Sequence, residues 1–123
     1  MSKIIYSGIF FDSLPENIKP DFKNTPQLIH ITDVFRPSNE QLKDNLLGKK
    51  INVQLLGIGN NNRSQALLTK DNILGYRHIT ISWNKNSTPK ESKYIKTWDM
   101  FKEPIIITGT YGYYNGKGII FNK

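Results

Sequence analysis

Apolar and polar residues alternate along most of this 123-residue chain, a pattern typical of β-strands with one buried face. Clusters of proline, glycine and asparagine break the alternation into segments, as they do at turns. The pattern predicts seven strands, over residues 3–11, 27–35, 51–58, 64–69, 76–83, 103–114 and 118–121. Because Asn115-Gly116 is a favoured turn pair, we expect the last two strands to form a hairpin.

One short helix is predicted between the second and third strands. Ser38 and Gln41 have the spacing of a capping box, in which each side chain bonds the backbone N–H of the other residue. The helix would run from Ser38 to about Leu47, and Gly48 would end it. The segment 84–103 is ambiguous, because it suits either one or two helical turns or an irregular connection.

The composition narrows the class of protein. The chain has no cysteine, which excludes disulfides, thiol nucleophiles and thiolate metal sites. The apolar N-terminal run is interrupted by Tyr6, Ser7 and Gly8 and is too short to cross a bilayer, so we interpret it as a strand and not as a signal peptide. We therefore expect a cytoplasmic protein with no membrane partner, folded as one domain over residues 1–123.

The chain is basic, with a formal net charge of +7. Such a charge is compatible with an anionic partner such as RNA or a nucleotide, although it says nothing about the fold. The basic residues are scattered, and only Lys49 and Lys50 are adjacent. We therefore expect a nucleotide or short oligonucleotide ligand and no dense nucleic-acid-binding tail.

Both histidines of the chain begin the same tripeptide, His-Ile-Thr, at residues 30–32 and 78–80. Since side chains alternate faces along a strand, each tripeptide places an imidazole and a hydroxyl side by side and turns an isoleucine toward the core. An ordinary amphipathic strand would explain either copy alone. The presence of both copies, each in a predicted strand, is much less expected by chance.

Two imidazole–hydroxyl pairs suit the cleavage of a phosphodiester. One imidazole can take a proton from water or a neighbouring hydroxyl, and the other can protonate the leaving oxygen. The hydroxyls can donate hydrogen bonds to the non-bridging phosphate oxygens. Zinc is the rival interpretation, but it usually needs three or four protein ligands, and Asp33 lies on the wrong face of its strand to help.

These motifs make the chain resemble the 2H phosphoesterase superfamily, which is named for two His-x-Thr motifs. Within this superfamily, the chain most resembles the group that includes the cyclic phosphodiesterase domains of RNA ligases and their small viral relatives. The resemblance implies an α+β fold with two lobes, in which mostly antiparallel sheets surround a central groove with one or two short helices. It also implies that His30 and His78 act as base and acid, and that Thr32 and Thr80 hold the phosphate.

The resemblance departs from full-sized members in one respect. The two histidines lie only 48 residues apart, which implies a compact version of the fold. Its groove would then be open, or covered by a second copy in a homodimer. No other protein partner and no cofactor or metal is expected.

The implied activity is a metal-independent phosphodiesterase that cleaves at a ribose 2′ or 3′ oxygen. Members of the superfamily act on 2′,3′-cyclic phosphate ends, on 2′–5′ oligoadenylates or on cyclic dinucleotides. The many Ile, Asn and Lys residues suggest an AT-rich, viral genome, which favours an immune messenger such as cyclic GMP–AMP or 2′–5′ oligoadenylate in the host cytoplasm. RNA end processing, a non-catalytic protein that sequesters the nucleotide, and a purely structural domain are the alternatives.

Aromatic residues near the motifs are candidates for stacking on bases, which contributes about 1–3 kcal/mol per base. Tyr6 lies in the first predicted strand and Tyr113 in a late one, and ordinary strand packing would explain either equally well. Trp98 lies in the ambiguous segment, where it is a candidate to cap the groove.

Two polar residues complete the predicted substrate site. Arg36 continues the face of His30 and Thr32 if that strand extends so far, although a solvated strand end is an equal alternative. Ser82 follows Thr80 on the same face of its strand. By the same alternation, Trp83 is predicted to face the core.

Overall fold

The computed structural model of the protein describes residues 3–122 and contains one antiparallel sheet of seven strands. The sheet order is β1-β2-β5-β4-β3-β6-β7, and β1 also pairs with β6. Six strands therefore form a closed barrel, and β7 extends β6 outside it. The strands are β1 (Tyr6–Phe11), β2 (Ile29–Phe35), β3 (Lys50–Asn60), β4 (Ser64–Asp71), β5 (Gly75–Trp83), β6 (Trp98–Tyr114) and β7 (Ile119–Ile120).

The predicted two-lobed α+β fold is wrong. Pairing of β1 with β6, in which Ile9 lies opposite Tyr111, joins the two ends of the chain into one barrel with a single interior. The described helices are two short 3₁₀ helices, η1 (Asp44–Leu46) and η2 (Pro89–Tyr94). Within residues 3–122, no helix has the length and apolar character needed to cross a membrane.

The predicted helix over 38–47 is reduced to η1, although its capping box forms. The Gln41 backbone N–H donates to Ser38 Oγ at 3.3 Å, and the Ser38 N–H donates to Gln41 Oε1 at 3.0 Å. So short a helix is marginal in water unless tertiary packing supports it. Here Leu46 and Leu47 pack against the barrel core, and the capping box closes a turn instead.

The ambiguous segment 84–103 contains η2 and the first residues of β6. The pairing of β6 with β3 shifts register between Met100 and Ile105, so Pro104 needs no ladder N–H. The β6–β7 hairpin has a longer loop than the predicted two-residue turn, and Asn115 closes it by accepting two backbone N–H groups.

The barrel interior holds the hydrophobic core. Side chains that point inward from the six barrel strands meet there, and those that form the core are almost fully buried. The core cluster comprises Ile9, Phe11, Ile31, Ile51, Val53, Leu55, Leu67, Ile79, Ile81 and Tyr111. Both isoleucines of the His-Ile-Thr motifs belong to it, so each motif is anchored by its central residue.

Two β-bulges interrupt the barrel wall next to the motifs. Asp33 is an extra residue in β2 relative to β1, and Ile81 is an extra residue in β5 relative to β4. Each bulge follows the threonine of its motif directly. Because a bulge shifts the alternation of side chains, residues beyond it reach the opposite face from the one that strict alternation predicts.

Candidate active site

The two motifs meet on neighbouring strands. The motif isoleucines, Ile31 of β2 and Ile79 of β5, are paired residues. In an antiparallel pair the flanking residues then lie crosswise, which puts each histidine beside the threonine of the other motif. We call these four outward-facing residues the quartet: His30, Thr32, His78 and Thr80.

The quartet lines a pocket of about 660 Å³ on the outer side of the barrel wall. Pockets of about 300–1,000 Å³ are usual for small ligands and cofactors. One end is aromatic and apolar, formed by Ile5, Tyr6, Phe35 and Tyr114. The other end carries Trp83 from β5 and Lys90 and Lys93 from η2, and residues 26–28 form part of the wall.

The hydrogen bonds of His30 define its tautomer. Its Nδ1 lies 3.0 Å from the carbonyl oxygen of Leu28, and a carbonyl can only accept. Nδ1 therefore carries the proton, and in the neutral ring Nε2 holds the lone pair. Burial lowers the pKa of His30, and the bond to Leu28 opposes this only partly. The ring is thus neutral near pH 7 and suited to accept a proton.

An aromatic side chain packs beside this imidazole. The centroids of the Tyr6 and His30 rings lie 4.5 Å apart, and the Tyr6 hydroxyl is 3.5 Å from Nδ1. Burial and the neighbouring Tyr114 raise the pKa of Tyr6 to about 12, so its hydroxyl stays protonated. Tyr6 therefore helps to fix the orientation of the ring.

His78 has a different environment. Across residues 3–122 its imidazole forms no hydrogen bond with the protein, while its backbone lies in the ladder opposite Leu68 of β4. Burial lowers the pKa of His78, and the charges of His30 and Arg77 lower it further. A proton on His30 therefore makes protonation of His78 less favourable.

The two threonines also differ. Thr32 is exposed, and its hydroxyl makes no hydrogen bond within the described chain, so it can donate to a ligand. The Thr80 hydroxyl lies 2.8 Å from Ser92 Oγ. Both hydroxyls also lie within reach of the Pro89 carbonyl oxygen, Ser92 Oγ at 2.9 Å and Thr80 Oγ1 at 3.5 Å; the shorter distance favours Ser92 as the donor to Pro89 and Thr80 as the donor to Ser92. This bond ties β5 to η2 and brings the lysines of η2 to the pocket.

Of the further residues predicted to bind substrate, the structure brings Tyr6 to the pocket. Tyr113 is buried, and it lies in β6 opposite Ser7 of β1 and Ile120 of β7, outside the pocket lining. Trp98 begins β6 and pairs with Gly59 of β3, away from the quartet.

The β5 bulge explains where Ser82 and Trp83 lie. After the extra residue Ile81, Ser82 is fully buried and donates to Gln65 Oε1 at 2.7 Å. Trp83, which strict alternation assigned to the core, lines the pocket instead. Neither position agrees with the alternation in the sequence, because the bulge depends on the pairing with β4.

The β2 bulge has the matching effect on Phe35 and Arg36. Past Asp33, Phe35 takes the pocket face that strict alternation assigned to Arg36. Arg36 leaves the strand with a φ of 50°, and its guanidinium lies 5.5 Å from the centroid of the Phe35 ring. Arg36 is therefore a neighbour of the pocket and not part of its lining.

Sequence reasoning missed Phe35, Trp83, Tyr114, Lys90 and Lys93. A signal for the first two exists, because HITDVF and HITISW each place an aromatic residue five positions after the histidine. The other three reach the pocket through pairing of β1 with β6 and through the position of η2, for which the local sequence has no signal.

Comparison with known proteins identifies no relative whose site could guide the interpretation of this one. The chain matches no family model, no curated protein and no solved structure. Within residues 3–122, no group of three or more histidine, aspartate or glutamate side chains is placed to hold a metal ion. The molecule is thus a small closed β-barrel with a two-histidine pocket, and its resemblance to 2H phosphoesterases is limited to the two His-x-Thr motifs.

Proposed function

We propose that this protein is a metal-independent phosphodiesterase, a compact relative of the 2H phosphoesterases, that cleaves a phosphodiester at a ribose 2′ or 3′ oxygen. The observation that supports this most is the convergence of His30 and His78 in one pocket, each with a threonine hydroxyl beside it. Two imidazoles can supply both proton transfers that the reaction needs.

The tautomer of His30 suggests which histidine is the base. Nε2 of His30 takes a proton from water as the water oxygen attacks phosphorus. The bond from phosphorus to the leaving ribose oxygen breaks, and protonated His78 supplies the proton that this oxygen needs. One water is consumed in total, and proton exchange with solvent restores the two rings. The negative charge of a bound phosphodiester would favour the protonated form of His78.

The other pocket residues fit a role in holding the phosphate. The Thr32 hydroxyl is free to donate to a non-bridging oxygen of the phosphate. The Thr80 hydroxyl can do the same if it gives up its hydrogen bond with Ser92. Lys90 and Lys93 form no ion pair within the described residues. Their charges are therefore available to attract an anionic nucleotide.

The proposed substrates are a cyclic dinucleotide such as cyclic GMP–AMP, or 2′–5′ oligoadenylate, in the cytoplasm. RNA ends with a 2′,3′-cyclic phosphate are the alternative substrate for the same chemistry. A pocket with aromatic residues at both ends suits nucleotides of either kind.

The test is incubation of the protein with these nucleotides in excess chelator, followed by chromatography of the products. We expect His30→Ala and His78→Ala each to lower kcat/KM by about 10²-fold or more, because general acid–base catalysis contributes that much. Ile106→Ala, which removes an exposed apolar side chain of β6, is the control and should be fully active.

Two results would contradict the proposal. Full activity of either histidine variant would exclude its proposed role, and loss of all activity in chelator would show that a metal is required. One-to-one uptake of nucleotide with no product would identify a sequestering protein instead.

A further inference from the structure

The pocket is built from two copies of one structural unit. HITDVF in β2 and HITISW in β5 each contain an outward histidine and threonine, a bulge, and an aromatic residue that the bulge returns to the pocket face. Because β2 and β5 are antiparallel, an approximate twofold axis through the Ile31–Ile79 pair relates the two units. Phe35 and Trp83 therefore lie at opposite ends of the pocket, with the quartet between them.

The distance between these aromatic residues limits the ligand. Each aromatic residue is four positions along its strand from the central isoleucine of its motif. One of these four positions is the extra residue of the bulge, so the aromatic residue is about three regular strand positions from the isoleucine pair. At about 3.3 Å per residue, their Cα atoms are about 20 Å apart. A single nucleoside centred on the quartet cannot contact both rings, whereas two nucleosides joined through one phosphate can extend toward both.

Phe35 is exposed at this end of the pocket, where the Arg36 guanidinium lies 5.5 Å from its ring centroid. The residue is 61% exposed, although it is large, apolar and part of a strand. Tyr6 and Tyr114, whose ring centroids lie 5.5 Å apart, flank the same end of the pocket. An exposed aromatic face at the edge of an anion-binding pocket is a typical platform for a nucleic-acid base.

We propose that the pocket binds two nucleosides, one on each side of the scissile phosphodiester, with one base stacked on Phe35 and the other on Trp83. This inference rests on the proposed function and deepens it, because it selects an internucleoside linkage over a terminal 2′,3′-cyclic phosphate. Lys90 and Lys93 lie on the Trp83 side, where η2 is bonded to Thr80, and they would meet a second phosphate of a cyclic or longer substrate.

The test compares two substrates in five proteins. The substrates are 2′–5′-linked diadenosine monophosphate, with two bases, and adenosine 2′,3′-cyclic phosphate, with one base. The proteins are the parent, Phe35→Ala, Trp83→Ala, Trp83→Phe, which keeps a stacking ring, and the control Ile106→Ala, whose side chain is 56% exposed on β6.

We expect each alanine variant of the two aromatic residues to lower kcat/KM for the dinucleotide by about 10-fold or more, since each removes one stacked base. Trp83→Phe should stay within about 3-fold of the parent. For the cyclic mononucleotide, at most one of the two alanine variants should have an effect, because one base occupies one end.

Failure of the inference is distinguishable from failure of the proposed function. If nucleotides are cleaved but both aromatic variants behave like Ile106→Ala, or the cyclic mononucleotide is preferred, the two-base inference is overturned while the activity stands. If no substrate is cleaved, the proposed function fails. Calorimetric binding of the dinucleotide then decides the inference, which requires weaker binding in both Phe35→Ala and Trp83→Ala.

Discussion

The two histidines of the site are placed where protonation is unfavourable. Both imidazoles are partly buried, and burial lowers the pKa of each ring. A proton on His30 further disfavours one on His78, and Arg77 adds to this effect. The neutral pair therefore predominates in the free protein near pH 7, and an anionic ligand would be needed to favour the charged form of one ring.

This arrangement predicts that stability falls in mild acid. In the unfolded chain a histidine has a pKa of about 6.5, so the unfolded state binds more protons than the folded state once the pH falls below that value. The stabilising contribution is complete above about pH 6.5 and is lost as the pH falls through the lowered pKa values of the folded protein. Melting temperatures between about pH 7.5 and pH 5 should show this fall.

A double variant provides the comparison for that prediction. His30→Gln together with His78→Gln removes both titrating groups, so its melting temperature should depend less on pH over the same range. Parallel curves for the parent and the variant would show that the histidines do not cause the fall in stability.

At the scale of strands, the close approach of β1 to β2 supports the first motif. Gly8 pairs with Thr32 at the bulge. A Cβ atom at Gly8 would lie 2.0 Å from the carbonyl oxygen of Ile31, closer than any real contact. Only glycine allows β1 to lie this close to β2, and the same strand places Tyr6 in the pocket.

We predict that Gly8→Ala destabilises the fold. The added methyl group must push β1 away from β2, and overpacking of this kind typically lowers the free energy of unfolding by about 1–3 kcal/mol. Gly118→Ala is the matched control, because a Cβ atom there meets nothing within 4 Å. Chemical denaturation of both variants measures the difference, and equal stability would show that β1 adjusts without cost.

At the scale of the whole molecule, barrel closure and charge act together on the site. The β1–β6 pairing joins strands from the two ends of the chain and brings Tyr114 beside Tyr6 at the pocket. The net charge of +7 surrounds this pocket with a field that attracts anions. Lys90 and Lys93 place part of that charge directly on the pocket lining.

The position of these lysines predicts a salt effect that net charge alone does not. The double variant Lys90→Gln/Lys93→Gln should lower kcat/KM at low salt by about 10-fold and weaken its decrease with added NaCl, because salt screens exposed charges. Lys102→Gln/Lys117→Gln removes the same charge from β6 and the last hairpin. If this control loses as much activity, the total charge matters and the local placement does not.

The local pattern was sufficient to predict the strands and the quartet. Alternation requires only neighbouring residues, so the seven strands appear near their predicted positions, and the motif residues share a face because they are two positions apart. The capping box at Ser38 also forms, although no helix follows it. Whether such a turn continues as a helix depends on what it packs against.

The sequence by itself determined which residues form strands and which four side chains share the outward face of the two motifs, because both follow from local spacing. The tertiary structure decided that the sheet closes as one barrel instead of two lobes, and that Phe35 and Trp83, not Arg36 and Ser82, face the pocket. Closure requires strands from the two ends of the chain to pair, and each bulge exists only relative to a partner strand. Such pairings join residues far apart in sequence, so no local pattern encodes them.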